Sequence, residues 1–396
     1  MKAKAIVFEA PKSLCIRELE LAPMGPLDLE VAVSFSGIST GTERLLWEGT
    51  MPPFPGLSYP LVPGYETVGT IVDLGAEVSG LQKGDLVFLP GSYAFQGVQN
   101  LFGGSGARLV VPHDRAVKLD HSLGSKGVLL ALAATAHHVF TVGREGAGLA
   151  YPDLIIGHGI MGRLLARMVV AAGKPAPVVW ETQAIRQSGA LGYDVIHPDQ
   201  DTRKDYRCIC DVSGDAGILN LVIPKMALGG EVVLAGFYKQ DLAFAYPPAF
   251  MREATIRVAA QWKKHDLDAV VAMFHDGSLP LEGLITHFEK ADQAQHAYEV
   301  AFGDPQCLKM VIDWTDETQT STSLPRVSRR FLAPSCKWFS RSIWPTFDKL
   351  SETSSTAKVR GLEIADIFLI AVCVLLTELF MLTAPIRIQA PFLLKR

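Results

Sequence analysis

The run Asp153-Leu-Ile-Ile-Gly-His-Gly-Ile-Met-Gly162 decides how this chain folds. It reads as a short apolar strand, a glycine turn (GHGIMG) and the start of an amphipathic helix. That order places a dinucleotide pyrophosphate on a helix N-terminus. Gly157 allows the tight turn, Gly159 lets backbone approach the phosphates, and Gly162 lets the helix pack closely on the strand. Downstream, Ile160, Leu164 and Met168 recur every four residues, as do Met161, Leu165 and Val169, which predicts a buried helical face. A second strand, Pro177-Val-Val-Trp-Glu181, ends in an acid 19 residues past Gly162. A lone GxGxxG is a weak signal. A strand before it, a helix after it and an acid at this distance make it a nucleotide-binding one.

The surrounding pattern alternates. Apolar strands are predicted at 153–157, 177–181, 193–197, 206–212, 231–236 and 255–261, with helical or turn segments between most of them. This predicts a doubly wound parallel sheet of the Rossmann type over 126–276. The candidate cofactor set is Gly157, Gly159, Ile160, Met161, Gly162, Glu181, Arg186, Ser213 and Gly236. The cofactor expected is NAD, because a carboxylate at Glu181 accepts hydrogen bonds from ribose hydroxyls and repels a 2′-phosphate. Arg186, five residues on, is suited to that phosphate, so strict preference over NADP stays open.

Residues 1–125 read as β structure with many turns, and 127–142 (GVLLALAATAHHVFTV) as an apolar helix leading into the nucleotide domain. After Trp262 the pattern predicts helices and a last strand that ends the core at Trp314. Composition then breaks: 34 of the 35 glycines lie before residue 315, and the last 82 residues carry 11 Lys/Arg against 7 Asp/Glu. Residues 315–358 read as a Ser/Thr-rich linker and 359–396 as an apolar tail. The stretch 364–384 is long enough to cross a bilayer but carries Asp366 and Glu378, which are costly there. Net charge is only −4, which gives no case for nucleic-acid binding. The six cysteines are scattered without a CxxC pair and read as thiols. The N-terminus has no apolar signal core, so a cytoplasmic location is expected, with membrane association through 364–384 as the variant. Oligomeric state is not legible.

The blocks KAIVFEAP, VPGYETVGTIVDLGAEVSGLQKGDLVF, GHGIMG and HFEKADQAQHAYEVAFG…LKMVIDW, in this order, resemble the medium-chain dehydrogenase/reductase (zinc-type alcohol dehydrogenase) superfamily over about residues 1–314. The resemblance implies an α/β protein: an N-terminal GroES-like β-rich catalytic domain, completed by about residues 277–314, plus the Rossmann domain, here with an atypical C-terminal tail. It also marks departures. The zinc-ligand cysteine of the family falls at Thr40 in GISTGTE, the ligand histidine at Tyr65 in Gly64-Tyr65-Glu66, and the third ligand near Ala131. The four-cysteine structural lobe is replaced by GSYAFQGVQNLFGGSG, residues 91–106. Thiolate and imidazole bind zinc, so no metal is expected. Within the superfamily this combination resembles the bacteriochlorophyllide dehydrogenase branch, which implies a tetrapyrrole substrate whose ring-A hydroxyethyl group becomes acetyl.

The resemblance puts Thr40, Thr42, Tyr65 and Glu66 around the reacting centre, with Thr42 at the proton-relay hydroxyl. Glu66 reads as a structural acid beneath the cleft ahead of a general base. His138, on the helix before the nucleotide domain, completes the candidate catalytic set, and beside His137 it also reads as a helix-packing histidine. Trp47, Phe54, Tyr59, Tyr93, Phe95 and Phe102 are expected in loops, as apolar walls for a flat macrocycle or as ordinary loop packing. Two other readings stand beside the alcohol dehydrogenase. One is a zinc-free, NADPH-dependent quinone or enone reductase of the same superfamily. The other is a non-catalytic NAD(H)-binding scaffold tethered by its tail.

Overall fold

The computed structural model describes residues 1–52, 56–144 and 148–319. Phe54 and the stretch 364–384 lie outside these residues.

The chain opens with β1 (Lys2–Ala10), β2 (Ser13–Glu20), β3 (Asp28–Ile38) and α1 (Thr42–Glu48). Then come β4 (Leu61–Pro63), β5 (Thr67–Leu74), β6 (Leu86–Leu89), β7 (Gln99–Leu101), β8 (Arg108–Pro112) and β9 (Val117–Leu119). These strands form most of two sheets. The smaller has the order β2-β1-β4-β7. In the larger, β3 is the long central strand: inward Leu29, Val31 and Val33 are fully buried, and it pairs antiparallel with β5 and β8.

Helix α2 (Leu130–Thr141) leads into the second lobe and is apolar on nearly every side. It packs against α3 (Ile160–Ala171), which follows β10 (Leu154–Ile156). The remaining elements of this lobe are β11 (Val178–Trp180), β12 (Asp194–Ile196), β13 (Tyr206–Asp211), α4 (Ile218–Val222), β14 (Met226–Leu234), α5 (Tyr246–Arg252) and β15 (Thr255–Val258). All pairs are parallel, in the order β12-β11-β10-β13-β14-β15. The order reverses beside β10, so the ligand crevice of such a sheet opens past the carboxyl ends of β10 and β13. Leu154 and Ile155 are wholly buried, as a strand covered on both faces requires.

The chain then returns. Helix α6 (Lys264–His275) packs on α2, and β16 (His287–Lys290), α7 (Ala294–Gly303) and β17 (Met310–Asp313) follow. β17 pairs antiparallel with β3, which completes the larger sheet of the first lobe from the far end of the sequence. The ordered core runs past Trp314. The first residues assigned above to the linker form α8 (Thr315–Gln319), and Lys4 reaches Glu317 at 2.6 Å. Among the described residues no helix is long and apolar enough to cross a membrane.

Candidate active site

In the second lobe the glycine turn joins β10 to α3. Gly157 has φ +101, which a β-carbon disfavours. A β-carbon on Gly162 would lie 1.8 Å from the Gly157 carbonyl oxygen, so the turn closes only with glycine there. Gly159 caps α3 with no side-chain bond, and the space beside it is open. The first-turn amides, including those of Ile160 and Met161, therefore keep their donors for an anion. At the end of β11, Glu181 accepts from the His158 amide (3.0 Å) and the Gln183 amide (2.9 Å). Each carboxylate oxygen retains a lone pair for a ribose hydroxyl. Ser213 and Gly236 close the floor. A β-carbon on Gly157 would touch the Ser213 amide, and one on Gly236 would reach the Gly214 amide. Ser213 Oγ donates to Asp211 (2.7 Å), which also accepts from the Tyr238 hydroxyl. Burial raises the Asp211 carboxyl above its ordinary range. This cradle fits a dinucleotide: open amides at a helix start, a carboxylate one strand away, and no side chain filling the turn. Arg186 points elsewhere, its Nε donating to the Pro305 carbonyl at 2.7 Å.

In the first lobe the segment 39–42 turns from β3 into α1 and meets Tyr65. The Tyr65 hydroxyl lies 2.6 Å from Ser39 Oγ, and the Thr42 hydroxyl stands close enough to pull the phenol's pKa down. Burial, with the charge of Glu66 next, pushes the Tyr65 phenol far up, so it stays protonated at neutral pH. Thr40 sits half-buried in the same turn. Phe102 meets the Tyr65 ring edge-on, with centroids 5.7 Å apart.

Below the hydroxyls lie charges. Glu66 and Lys309 are both fully buried, and Lys309 Nζ contacts the two carboxylate oxygens at 3.0 and 2.7 Å and the Ile38 carbonyl at 3.0 Å. Desolvation raises the Glu66 carboxyl, and Lys309 opposes the rise. A second buried acid, Glu43 on α1, accepts from the Ser39 amide (3.1 Å) and the Tyr298 hydroxyl (2.7 Å). Burial pushes it up to about 7.

The structure thus brings Thr40, Thr42 and Tyr65 together and sets Glu66 beneath them. His138 is not among them. It lies two turns along α2 from Ala131, roughly 10 Å on the helix rise, and its Nδ1 meets Asp266 at 2.8 Å. His137 and Thr141 bond the same carboxylate, at 2.8 and 2.9 Å. Of the expected aromatic walls, Trp47 and Phe95 are buried, Trp47 stacking on Tyr298. Tyr59 donates to the Leu46 carbonyl, and Tyr93 is exposed with Arg115 over its ring. At the positions that the resemblance equates with zinc ligands, the side chains are Thr40 and Tyr65, and near the third stands fully buried Ala131. They include no thiolate and no imidazole, and alanine offers no donor atom, so this set does not fit zinc.

Sequence reading missed Ser39, Glu43, Lys309 and Tyr298. A lysine inside the apolar run CLKMVIDW, just before β17, was a usable signal, since a buried ammonium needs an acid. A serine in a turn carries no such signal.

A GroES-like β lobe followed by a dinucleotide cradle in a parallel sheet defines a medium-chain dehydrogenase/reductase. The alcohol dehydrogenase GroES-like domain model matches residues 25–121. The chain is 48% identical over 317 residues to 2-desacetyl-2-hydroxyethyl bacteriochlorophyllide A dehydrogenase of Rhodobacter capsulatus, covering 80% of this chain and 99% of that protein. The protein of the same name from Cereibacter sphaeroides is 48% identical over 319 residues, covering 79% and 99%. The chain belongs to the family of these bacteriochlorophyllide dehydrogenases. A solved short chain alcohol dehydrogenase from E. coli CFT073, complexed with NADH, has the same fold, with a TM-score of 0.67 at 20% identity over 79% of this chain and 99% of that one.

Proposed function

We propose that this protein oxidises the 3-(1-hydroxyethyl) group of a bacteriochlorophyllide precursor to 3-acetyl, with NAD as oxidant and without a catalytic zinc. One observation carries the substrate assignment: identity of 48% over 99% of relatives whose name states this activity. The cradle at Gly157–Gly162 and Glu181 supports a dinucleotide, which when bound supplies the hydride acceptor. Oxidation would then send the carbinol C–H hydride to that acceptor and the O–H proton through the protein to solvent, leaving a ketone.

The chain's own part is the proton. Thr42 takes the carbinol proton while handing its own to Tyr65, which hands one to Ser39, and Ser39 in turn releases its own to solvent, so that every hydroxyl ends neutral. Tyr65 serves here as a neutral link, because its phenol is held protonated. Glu66, tied by Lys309, keeps the floor of the site fixed and does not reach substrate. Thr40 lines the turn, and His138 holds α2 to α6. Zinc-type enzymes lower the alcohol pKa by coordination. In this substrate the carbinol carbon is joined to a conjugated macrocycle, into which positive charge spreads as hydride departs, so less deprotonation is needed beforehand. The Phe102 ring beside Tyr65 suits the flat face of such a macrocycle.

The test is incubation of the full chain with NAD and 3-(1-hydroxyethyl) bacteriochlorophyllide a in the presence of a strong chelator. The expected result is NADH formation matched to the absorption shift of a newly conjugated acetyl group. Turnover only of quinones or enones with NADPH favours the reductase. NAD(H) binding without turnover favours the scaffold.

A further inference from the structure

The crossover from β11 to β12 covers residues 181–193, and its one helical piece is the three-residue turn Ala184–Arg186. Parallel crossovers need about a dozen residues and are ordinarily built on an α-helix. A crossover without one leaves carbonyl oxygens that need donors from elsewhere.

Arg163 supplies them. It lies in the first turn of α3 and is 5% exposed. Its Nε donates to the His158 carbonyl at 3.0 Å. Nη1 donates to Gly189 at 3.1 Å, and Nη2 to Arg186 at 3.1 Å and Ser188 at 2.8 Å. One guanidinium thus gathers three carbonyls of the crossover and one of the glycine turn. Its planar fork of five N–H donors is suited to this and a lysine ammonium is not. Gly189 is part of the fit. It has φ +84, and a β-carbon there would lie 2.4 Å from Nη1.

His158, inside the glycine turn, ties the same pieces a second time. Its backbone amide holds Glu181. Its Nδ1 faces the Arg186 carbonyl at 2.6 Å, and its Nε2 faces the Tyr193 hydroxyl at 2.8 Å. A carbonyl can only accept, so Nδ1 carries the proton and Nε2 accepts from Tyr193. Burial lowers this imidazole to about 4, consistent with the neutral form.

We propose that Arg163, with His158 and Tyr193, is a positioning clamp that takes the place of the crossover helix and fixes the adenosine-ribose end of the cofactor site. The clamp keeps Glu181 aimed at the ribose hydroxyls and keeps Arg186 turned to Pro305, away from where a 2′-phosphate would sit. Arg163 therefore sets both NAD affinity and discrimination against NADP without touching the cofactor. This rests on the dehydrogenase reading above.

The experiment is Arg163→Lys in the full chain, with KM and kcat for NAD and NADP and direct NADH binding by fluorescence. The expected result is a KM for NAD raised about tenfold. Saturated kcat should stay within about threefold, and the NAD-to-NADP ratio of kcat/KM should narrow about tenfold. Loss of folded protein lowers apparent kcat but leaves KM alone, so this split separates positioning from instability. Gly189→Ala keeps Arg163 while crowding Nη1, and it should move KM in the same direction. If Arg163→Lys does not fold, Gly189→Ala decides. An unchanged KM and cofactor ratio in the variants that fold, with wild type binding NADH normally, overturns the clamp. Wild type that binds no NADH overturns the dehydrogenase reading instead.

Discussion

Around Gly157 the groups that face the crevice are mostly backbone amides, with the Glu181 carboxylate one strand away, whereas around Tyr65 they are side-chain hydroxyls over buried charge. The cofactor half owes its shape to a turn that excludes β-carbons and to a helix start left uncapped. The half proposed to handle the proton owes its shape to Ser39, Thr42 and Tyr65, held above the Glu66–Lys309 pair and Glu43. Backbone groups do not titrate, so the phosphate-binding turn of the first half should respond chiefly to steric change. The second should respond to single polar atoms and to protonation.

The sharpest way to break this contrast is to unpair the charge under the second half. Lys309→Met leaves Glu66 buried without its cation, a change that typically costs about 3–5 kcal/mol. A large fall in Tm is expected, recovered in large part by adding Glu66→Gln. A Lys309→Met protein as stable as wild type would remove buried charge as the support of this region. On the other side, Gly162→Ala forces a methyl against the Gly157 carbonyl. Overpacking of this kind costs about 1–3 kcal/mol. If it falls on the turn, NADH affinity drops about tenfold or more, with little change in its pH dependence. Titration of NADH fluorescence at pH 6 and pH 8 checks both statements.

A finer test concerns the hydroxyls. Thr42→Val keeps shape and removes one relay atom, and Tyr65→Phe removes the next. General acid–base help is typically about 10²–10⁴-fold. Each variant should therefore slow single-turnover hydride transfer at least about tenfold while NADH affinity stays near wild type. Hydride transfer at the wild-type rate in both would assign the proton to another path.

The two halves also differed in how far the sequence showed them. GHGIMG, its flanking strand and Glu181 were legible because the turn is local: glycine spacing, strand and helix are contiguous, and their physics is backbone physics. The strand positions of the sheet were predicted close to where they lie, since buried parallel strands are short continuous apolar runs. Thr42 and Tyr65 were reached through the resemblance, not through periodicity. Their partner Ser39 was not, because its role depends on a turn bringing it to a residue 26 positions away. Lys309 and Tyr298 come from the returning segment, 243 and 255 positions from the acids they bond. Nothing local in a strand or helix names such a partner. Arg163 was hidden for a related reason: the helical pattern marks its face but not the missing crossover helix that gives it three carbonyls to hold.

An effect confined to one pH window isolates Glu43, the acid with no cation in hydrogen-bonding contact. Its carboxyl moves from the ordinary 4.5 up to about 7, chiefly because burial disfavours the charged form. The sign follows from proton counting. Between these two values the folded chain holds this proton and the unfolded chain has released it, so stability falls as pH rises. The contribution is whole below about 4.5 and gone above about 7, with a slope of at most about 1.4 kcal/mol per pH unit from one proton. Glu43→Gln keeps an acceptor for the Ser39 amide and cannot ionise. Its stability should therefore lack this component of slope across that window, while the slopes of variant and wild type agree above pH 8. Urea unfolding of both proteins at half-unit steps from pH 4.5 to 8.5 measures the difference. Parallel curves would mean that Glu43 is not the titrating group beneath Ser39, and the pH sensitivity assigned to this half of the site would have to rest on the Glu66–Lys309 pair alone.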